Sequence, residues 1–270
     1  PGLRREGFRF RPDWNFKDAY IRDILTTMAP ATIALAAVQI NIFISSRYVS
    51  TEPSAVSWLN FAFRLLYLPM GLFGVAVGSV AGARLSRLVA EGAADAAHGQ
   101  IAQALRLLLF LTVPSAVGLI CAGEAIVRMI YEHGAFHATD THAVATALAW
   151  MAVGLVSYAS TKVFVPFFYA TRRPAVPLAA SLLAVTVNLL SLSLLFGKVG
   201  YVAAALGMAG GNLANGGLLL LAYRGPEPLS RAIDLRYLLS LVAATSGMAM
   251  VVLLLTSALG AAFGKIAGAL

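Results

Sequence analysis

Charge is what this sequence has least of, and acid is the scarcer sign. Twelve Asp and Glu stand against 20 Lys and Arg in 270 residues, and the four types make up 12% of the chain. A soluble domain carries about 25%. So few acids leave no intramembrane carboxylate pair for proton transfer. The one cysteine, Cys121, excludes an internal disulfide; in its apolar run it reads as a small buried hydrophobe. No GxSxG turn, phosphate-binding glycine loop, Cys–His nucleophile pattern or HExxH pair is present. The expectation is a protein that is not an enzyme and needs no cofactor or metal. Basic loops interleaved with aromatics and zinc-knuckle spacings are also missing, so a net charge of +8 and a pI near 9.9 do not point to nucleic acid. The opening PGLRREGFRFRPDW has no continuous apolar core and is no signal peptide. It reads as the start of a piece of something longer.

What is present is apolar length. Hydrophobic residues make up 59% of the chain and its mean hydropathy is +0.80. Runs of about 20 such residues recur, the length that crosses a hydrocarbon core of about 30 Å. The reading is an all-α, polytopic transmembrane bundle of seven spans, at 24–46, 58–83, 103–123, 141–169, 175–196, 199–223 and 235–259. TEPS, EGAADAAHG, TRRP and RGPEP mark connectors. The residues after the seventh span are too few to cross and read as the start of an eighth helix. Residues 8–23 mix aromatics with charges, which suits an interfacial segment with Trp14 and Tyr20 at headgroup level. With the N-terminal segment inside, inner segments hold 14 of the basic residues and outer ones only Arg47, Arg128, Lys198 and Lys265. The positive-inside rule therefore makes the N-terminal end cytoplasmic and leaves Arg64 and Lys162 within the membrane.

FAFRLLYLPMGLFGVAVGSV, residues 61–80, concentrates the unusual features. Arg64 lies about 10 Å into its span. A charge there is costly on a lipid-facing surface, so it either snorkels to the interface or faces a wet cavity. Lys162, in YASTKVFVPFFYA, poses the same alternatives with a more flexible stem. Gly74, Gly78 and Gly82 recur every four residues and form one face, a small-residue row that admits a second backbone. Gly207 and Gly211, flanked by Ala203 and Asn215, repeat it. Pro69 is expected to bend its helix, with Pro30, Pro114 and Pro166 as further kinks. Asn41, Asn60, Asn188, Asn212 and Asn215 are expected to hydrogen-bond between helices. EHGAFHATDTH gathers Glu132, His133, His137, Asp140 and His142 but reads as a loop, with Thr139 or Asp140 capping the next helix.

Several of these segments resemble the MurJ/MviN flippases. RLLYLPMGLFGVAVGSV followed by ARLSR is similar to the family's eighth helix, and GFRFRPDW with MAPATIALAAVQIN to the entry to its seventh. MIYEHGAFHATDT, FYATRRPAVP and VNLLSLSLLFGKVGYVAAALG resemble its later junctions and helices. Members move lipid II, the lipid-linked peptidoglycan precursor, across the bacterial inner membrane. They have fourteen spans, in two six-helix lobes plus two final helices. On that register the chain is the C-terminal lobe of a two-lobe transporter, beginning at the seventh helix and stopping after the thirteenth.

The resemblance implies a division into a cytoplasmic interfacial linker at 1–23, the six-helix lobe at 24–223, and a lipid-tail groove region at 224–270. It implies alternating access against a missing N-terminal lobe, with lipid II and membrane lipids as partners. Arg64 matches the arginine this lobe offers to the lipid pyrophosphate, and Lys162 is carried over weakly. Phe63 stands where many members have an acid. Leu192 stands where an Asp would help to bind the sodium ion some members hold, so no ion is expected. Rival readings are export of another cargo, such as an oligosaccharide-lipid or a drug, and a non-transporting scaffold for cell-wall assembly.

Overall fold

The computed structural model describes residues 19–225 and 233–267, so most of the expected interfacial segment, Trp14 included, lies outside the described residues. Among the described residues every regular element is a helix. In chain order they are α1 (Ala19–Val49), α2 (Ala55–Pro69), a π-helical turn (Met70–Val75), α3 (Ala76–Ala90), α4 (Ala94–Tyr131), α5 (Ala138–Val153), α6 (Leu155–Ala170), α7 (Ala175–Val199), α8 (Val202–Ala222) and α9 (Leu235–Ala267). Six stretches are long and apolar enough to cross a membrane, and α5 with α6 makes a seventh if that bent pair is one span. This is the all-α multi-pass bundle the apolar runs predict.

Four details depart from the sequence reading. The expected continuous span at 141–169 is broken at Gly154, where α5 and α6 meet at 44°. A Cβ at Gly154 would lie 2.9 Å from Ala209 Cα, so the α8 backbone occupies the space a side chain would need. The third span is longer than 103–123: α4 has 38 residues and begins inside the expected EGAADAAHG connector. Alanines there favour helix, and Ala97 and Ile101 are buried in the core. The residues read as an eighth helix simply continue α9 to Ala267. Finally, His137 precedes the first residue of α5 as its N-cap, and Asp140 reaches back to accept from the His137 backbone N–H at 2.9 Å. Neither Thr139 nor Asp140 is the cap, because three more residues wind into helix before the apolar run begins.

Pro69 carries no N–H, and the ladder after it widens into the π-helical turn before α3 resumes. Met70 folds back over Gly74 there, its Sδ 2.7 Å from where a Cβ would stand. The main core joins α2 to α6 with α8, around Leu65, Leu85, Leu108, Leu148, Phe164 and Phe168. A smaller cluster of Val49, Ala55, Leu192 and Ala204 lies at the end where α1 turns into α2 and α7 into α8. Glu52, in that α1–α2 turn, accepts from the Tyr201 backbone N–H at 3.1 Å and so caps α8. Burial, then the Glu52 carboxylate, push the Tyr201 phenol above its ordinary range. The outer helices α1 and α9 pack on α7 and α4 and show Phe43, Leu35, Met250 and Leu254 on their open faces. Such faces suit lipid.

Glycine contacts carry the tightest seams. Gly78 meets Lys162, whose Cβ lies 2.6 Å from a would-be Gly78 Cβ, and Gly82 meets Pro166 at 3.2 Å. Across α7 and α8, a Cβ at Gly211 would lie 2.8 Å from the Ala184 carbonyl oxygen, and one at Gly207 would run into Asn188. Gly217, on the same helix, has open space around it. Gly211→Ala is therefore expected to destabilise the lobe by about 1–3 kcal/mol through overpacking. Gly217→Ala is expected to be neutral or to stabilise by up to about 1 kcal/mol. Thermal unfolding midpoints in one detergent separate the two.

Candidate functional site

Arg64 sits on α2 and is exposed. Its guanidinium carbon lies 5.6 Å from the centre of the Phe61 ring, one turn back. Lys162 is half-buried on α6, its stem pressed on Gly78 and its Nζ 5.2 Å from the centre of the Tyr158 ring. Among the described residues the ion pairs are Arg87–Glu91, Arg128–Glu124 and Arg128–Glu132, all between residues four apart at helix ends. Neither membrane cation joins one. Each instead lies against an aromatic ring, a contact worth about 0.5–2 kcal/mol that leaves its positive charge uncompensated.

Tyr67 and Tyr158 bring their hydroxyls to 3.4 Å from one another. Tyr67 follows Arg64 by three residues and Tyr158 precedes Lys162 by four, so each phenol shares a helix face with its cation. Both line a cleft of about 460 Å³ bounded by α1, α2, α7 and α8 with parts of α5 and α6, to which Asn41, Asn60, Asn188 and Asn215 also contribute. Arg64 itself is not in that lining but beside it on α2. A second, shallower groove of about 560 Å³ runs between α3 and α6 over Gly78, Gly82 and Pro166, with Ser79, Ser86 and Tyr169 at its sides. The structure thus brings Gly78, Gly82 and Lys162 together, with Gly74 a turn above. It keeps Gly207 and Gly211 in a separate α7–α8 seam.

Asn188 ties the cleft's far wall. It is 2% exposed, and its Nδ2 donates to Asn41 Oδ1 at 2.8 Å and Ser45 Oγ at 2.9 Å. Its Oδ1 has no hydrogen-bond partner and rests against Gly207 instead. Of the other asparagines, Asn60 bonds back to the Val56 carbonyl of its own helix at 2.8 Å. The Asn212 carbonyl accepts from Ser157 Oγ on α6 at 2.8 Å. Leu192, one turn from Asn188, is buried in the small apolar cluster and supplies no polar group.

The polar loop at 132–142 serves as a fastening. Glu132 accepts from Thr141 Oγ1 at 2.6 Å, and Asp140 accepts from the Trp58 indole N–H at 2.7 Å, locking the α4–α5 turn onto α2. Among the described residues no three His, Cys, Asp or Glu converge as a metal would require. Sequence reasoning missed the Tyr67–Tyr158 pair and the Glu52 cap, since both join residues far apart in the chain. A tyrosine one helical turn from each membrane cation was the available signal.

Six apolar crossings, or seven with the bent α5–α6 pair as one, define a multi-pass helical membrane protein. The chain belongs to the MurJ family, matching the family described as "Lipid II flippase MurJ" over residues 1–267. It is 29% identical to the "Probable lipid II flippase MurJ" of Vibrio cholerae over 226 residues, 83% of this chain and 42% of that protein. It is 34% identical to the Rhizobium tropici protein of the same description over 168 residues, 62% of this chain and 32% of that protein. A solved structure, "Lipid II flippase MurJ, inward closed conformation", superposes with a TM-score of 0.67 at 23% identity, covering 96% of this chain and 58% of its own. The chain thus spans less than half the length of these two relatives.

The Asn188 contacts carry a prediction of their own. Asn188→Ala and Asn41→Ala are each expected to cost about 0.5–1.7 kcal/mol, the range of interhelical hydrogen bonds in membranes. The double variant should lose less than the sum, because the two share one bond. A double-mutant cycle on thermal unfolding measures the coupling.

Proposed function

We propose that this chain is the C-terminal lobe of a flippase that carries lipid II, the pyrophosphate-linked peptidoglycan precursor, across the bacterial inner membrane by alternating access. Family membership over residues 1–267 is the observation that carries this reading. Residues 24–223 form the moving lobe, 1–23 its cytoplasmic linker, and 224–270 part of the groove for the lipid tail. The partner is an N-terminal lobe, with lipid II and membrane lipids as the other contacts.

Arg64 meets the pyrophosphate. Left on a lipid-facing surface at mid-depth, its charge would cost about 2.5–3.5 kcal/mol or more. Turned to a cavity between lobes, its fork of donors matches phosphate oxygens and stays charged. Lys162, half-buried and without a carboxylate partner, adds a weaker second cation. Pro69, the π-helical turn and the row Gly74, Gly78 and Gly82 serve bending and close packing during the cycle, while Gly207 and Gly211 hold α7 to α8.

The charge on alternate turns supports a cytoplasmic N-terminal end. The turns α3–α4, α6–α7 and α8–α9 carry Arg84, Arg87, Arg172, Arg173, Arg224 and Arg236 together with Glu91, Asp95 and Asp234. The opposite turns carry Arg47, Arg128 and Lys198 together with Glu52, Glu124, Glu132 and Asp140. The first set belongs inside.

The test is exposure of lipid II at the outer surface of cells depleted of their own flippase. A chimera in which this chain replaces the matching region of the Vibrio cholerae relative should restore exposure. Arg64→Ala in the chimera should lower it about ten-fold or more at equal protein level, the loss of a charge-assisted contact. Full activity of Arg64→Ala or Arg64→Glu overturns the phosphate role. No exposure from a well-expressed chimera points to another cargo.

A further inference from the structure

We propose that one end of the α4–α9 seam, at Arg106 and Tyr237, seats the headgroup phosphate of an anionic phospholipid whose acyl chains lie along both helices. The seat is separate from the cleft, none of whose lining residues belongs to α4 or α9. It does not depend on what cargo is carried.

The way Arg106 is held is the first reason. The Tyr237 hydroxyl donates to the Arg106 carbonyl at 2.6 Å, and the Arg106 guanidinium carbon lies 5.6 Å from the centre of the Tyr237 ring. Farther along the seam, the Met248 methyl carbon stands 3.8 Å from where a Cβ on Gly118 would be, so α4 and α9 run the same way. Leu241 and Thr245 are buried. Arg106 is thus fixed at one end of the seam by a ring and not by an acid. Among the described residues the ion pairs belong to Arg87 and Arg128. Its side chain is exposed, and a guanidinium resting on a ring keeps its N–H donors for another acceptor. A phosphate offers the paired oxygens that such a fork matches.

Depth is the second reason. From Leu107 to Gly123 α4 carries no charge, a rise of about 25 Å, and Glu124 follows. That length is close to a hydrocarbon core of about 30 Å, so Arg106 marks one of its edges, where lipid phosphates lie. With the N-terminal end cytoplasmic, as proposed above, it is the inner edge. Phe110, one turn deeper on α4, and Leu238 and Val242 on α9 are exposed, and they give acyl chains a surface. A dissolved anion gains nothing from such a surface. Around the seat, Gln103 shares the Arg106 face of α4 and is exposed, while Arg236 stands at about the depth of Tyr237. The described acids at these two helix ends are Asp234, beside Arg236, and Asp95, about 16 Å below Arg106. Two arginines against the one neighbouring carboxylate leave the seat positive, which favours a net anionic headgroup over a zwitterionic one.

The test is native mass spectrometry of the chain in an uncharged detergent, titrated with phosphatidylglycerol, with phosphatidylcholine of the same chains, or with inorganic phosphate. The unaltered chain should bind phosphatidylglycerol about five-fold or more tightly than phosphatidylcholine, and inorganic phosphate at equal concentration should not displace it. Arg106→Gln should weaken phosphatidylglycerol binding about five-fold, at an unchanged unfolding midpoint in lipid-free detergent. Arg106→Lys, which keeps the charge without the fork, and Tyr237→Leu, which removes the ring, should each fall between. Arg47→Gln, at the far end of α1, should bind as the unaltered chain does. Equal binding by the unaltered chain and Arg106→Gln overturns the seat. So does an equal loss in Arg47→Gln, which would reduce the effect to general surface charge. Displacement by inorganic phosphate overturns the phospholipid as occupant.

Discussion

Close approach of helix backbones at glycine is the constraint on which this bundle depends. In hydrocarbon, burying one apolar side chain against another gains little over leaving it in lipid, so helices associate through packing at short range and through polar contacts. The seams between α3 and α6, and between α7 and α8, meet that requirement with Gly78, Gly82, Gly207 and Gly211, where side-chain or backbone atoms fill the space a Cβ would take. Gly154 does the same for the bend between α5 and α6. α1, which has no glycine, stands at the periphery and keeps an apolar face open.

That packing decides how the polar groups are used. Gly78 admits the stem of Lys162 so closely that the lysine backbone and Cβ become part of the seam, and the ammonium turns to the Tyr158 ring. Gly207 leaves room for the Asn188 carboxamide, which then reaches α1 through Asn41 and Ser45. The same residue type on α2, Asn60, has no such partner helix and bonds to its own backbone. Polar side chains in the bundle are thus placed by the glycines opposite them.

Much of the fold was legible in the chain. Lipid demands unbroken apolar length and internal backbone pairing, which fixes helices and their number before any contact forms. The apolar helices follow from that demand, and the family resemblance of residues 61–88 and 129–141 agrees with the match over residues 1–267. Arg64 and Lys162 stood out because a charge in an apolar run is rare. The Tyr67–Tyr158 pair did not, since a tyrosine within a membrane span is ordinary until a second one faces it from a helix 91 residues away.

The sequence by itself determined the spans, the excess of arginine on alternate turns, the family, and the two cations with no acid near them in the chain. All of these rest on local composition and on spacing along one helix. Only the tertiary structure decided that the fourth span breaks at Gly154, that His137 rather than Thr139 or Asp140 caps α5, that α4 and α9 run on past their apolar cores, and that the Tyr67 and Tyr158 hydroxyls meet. Each of those turns on which backbone or side chain arrives from elsewhere to occupy a given space, and no pattern within a single segment records that.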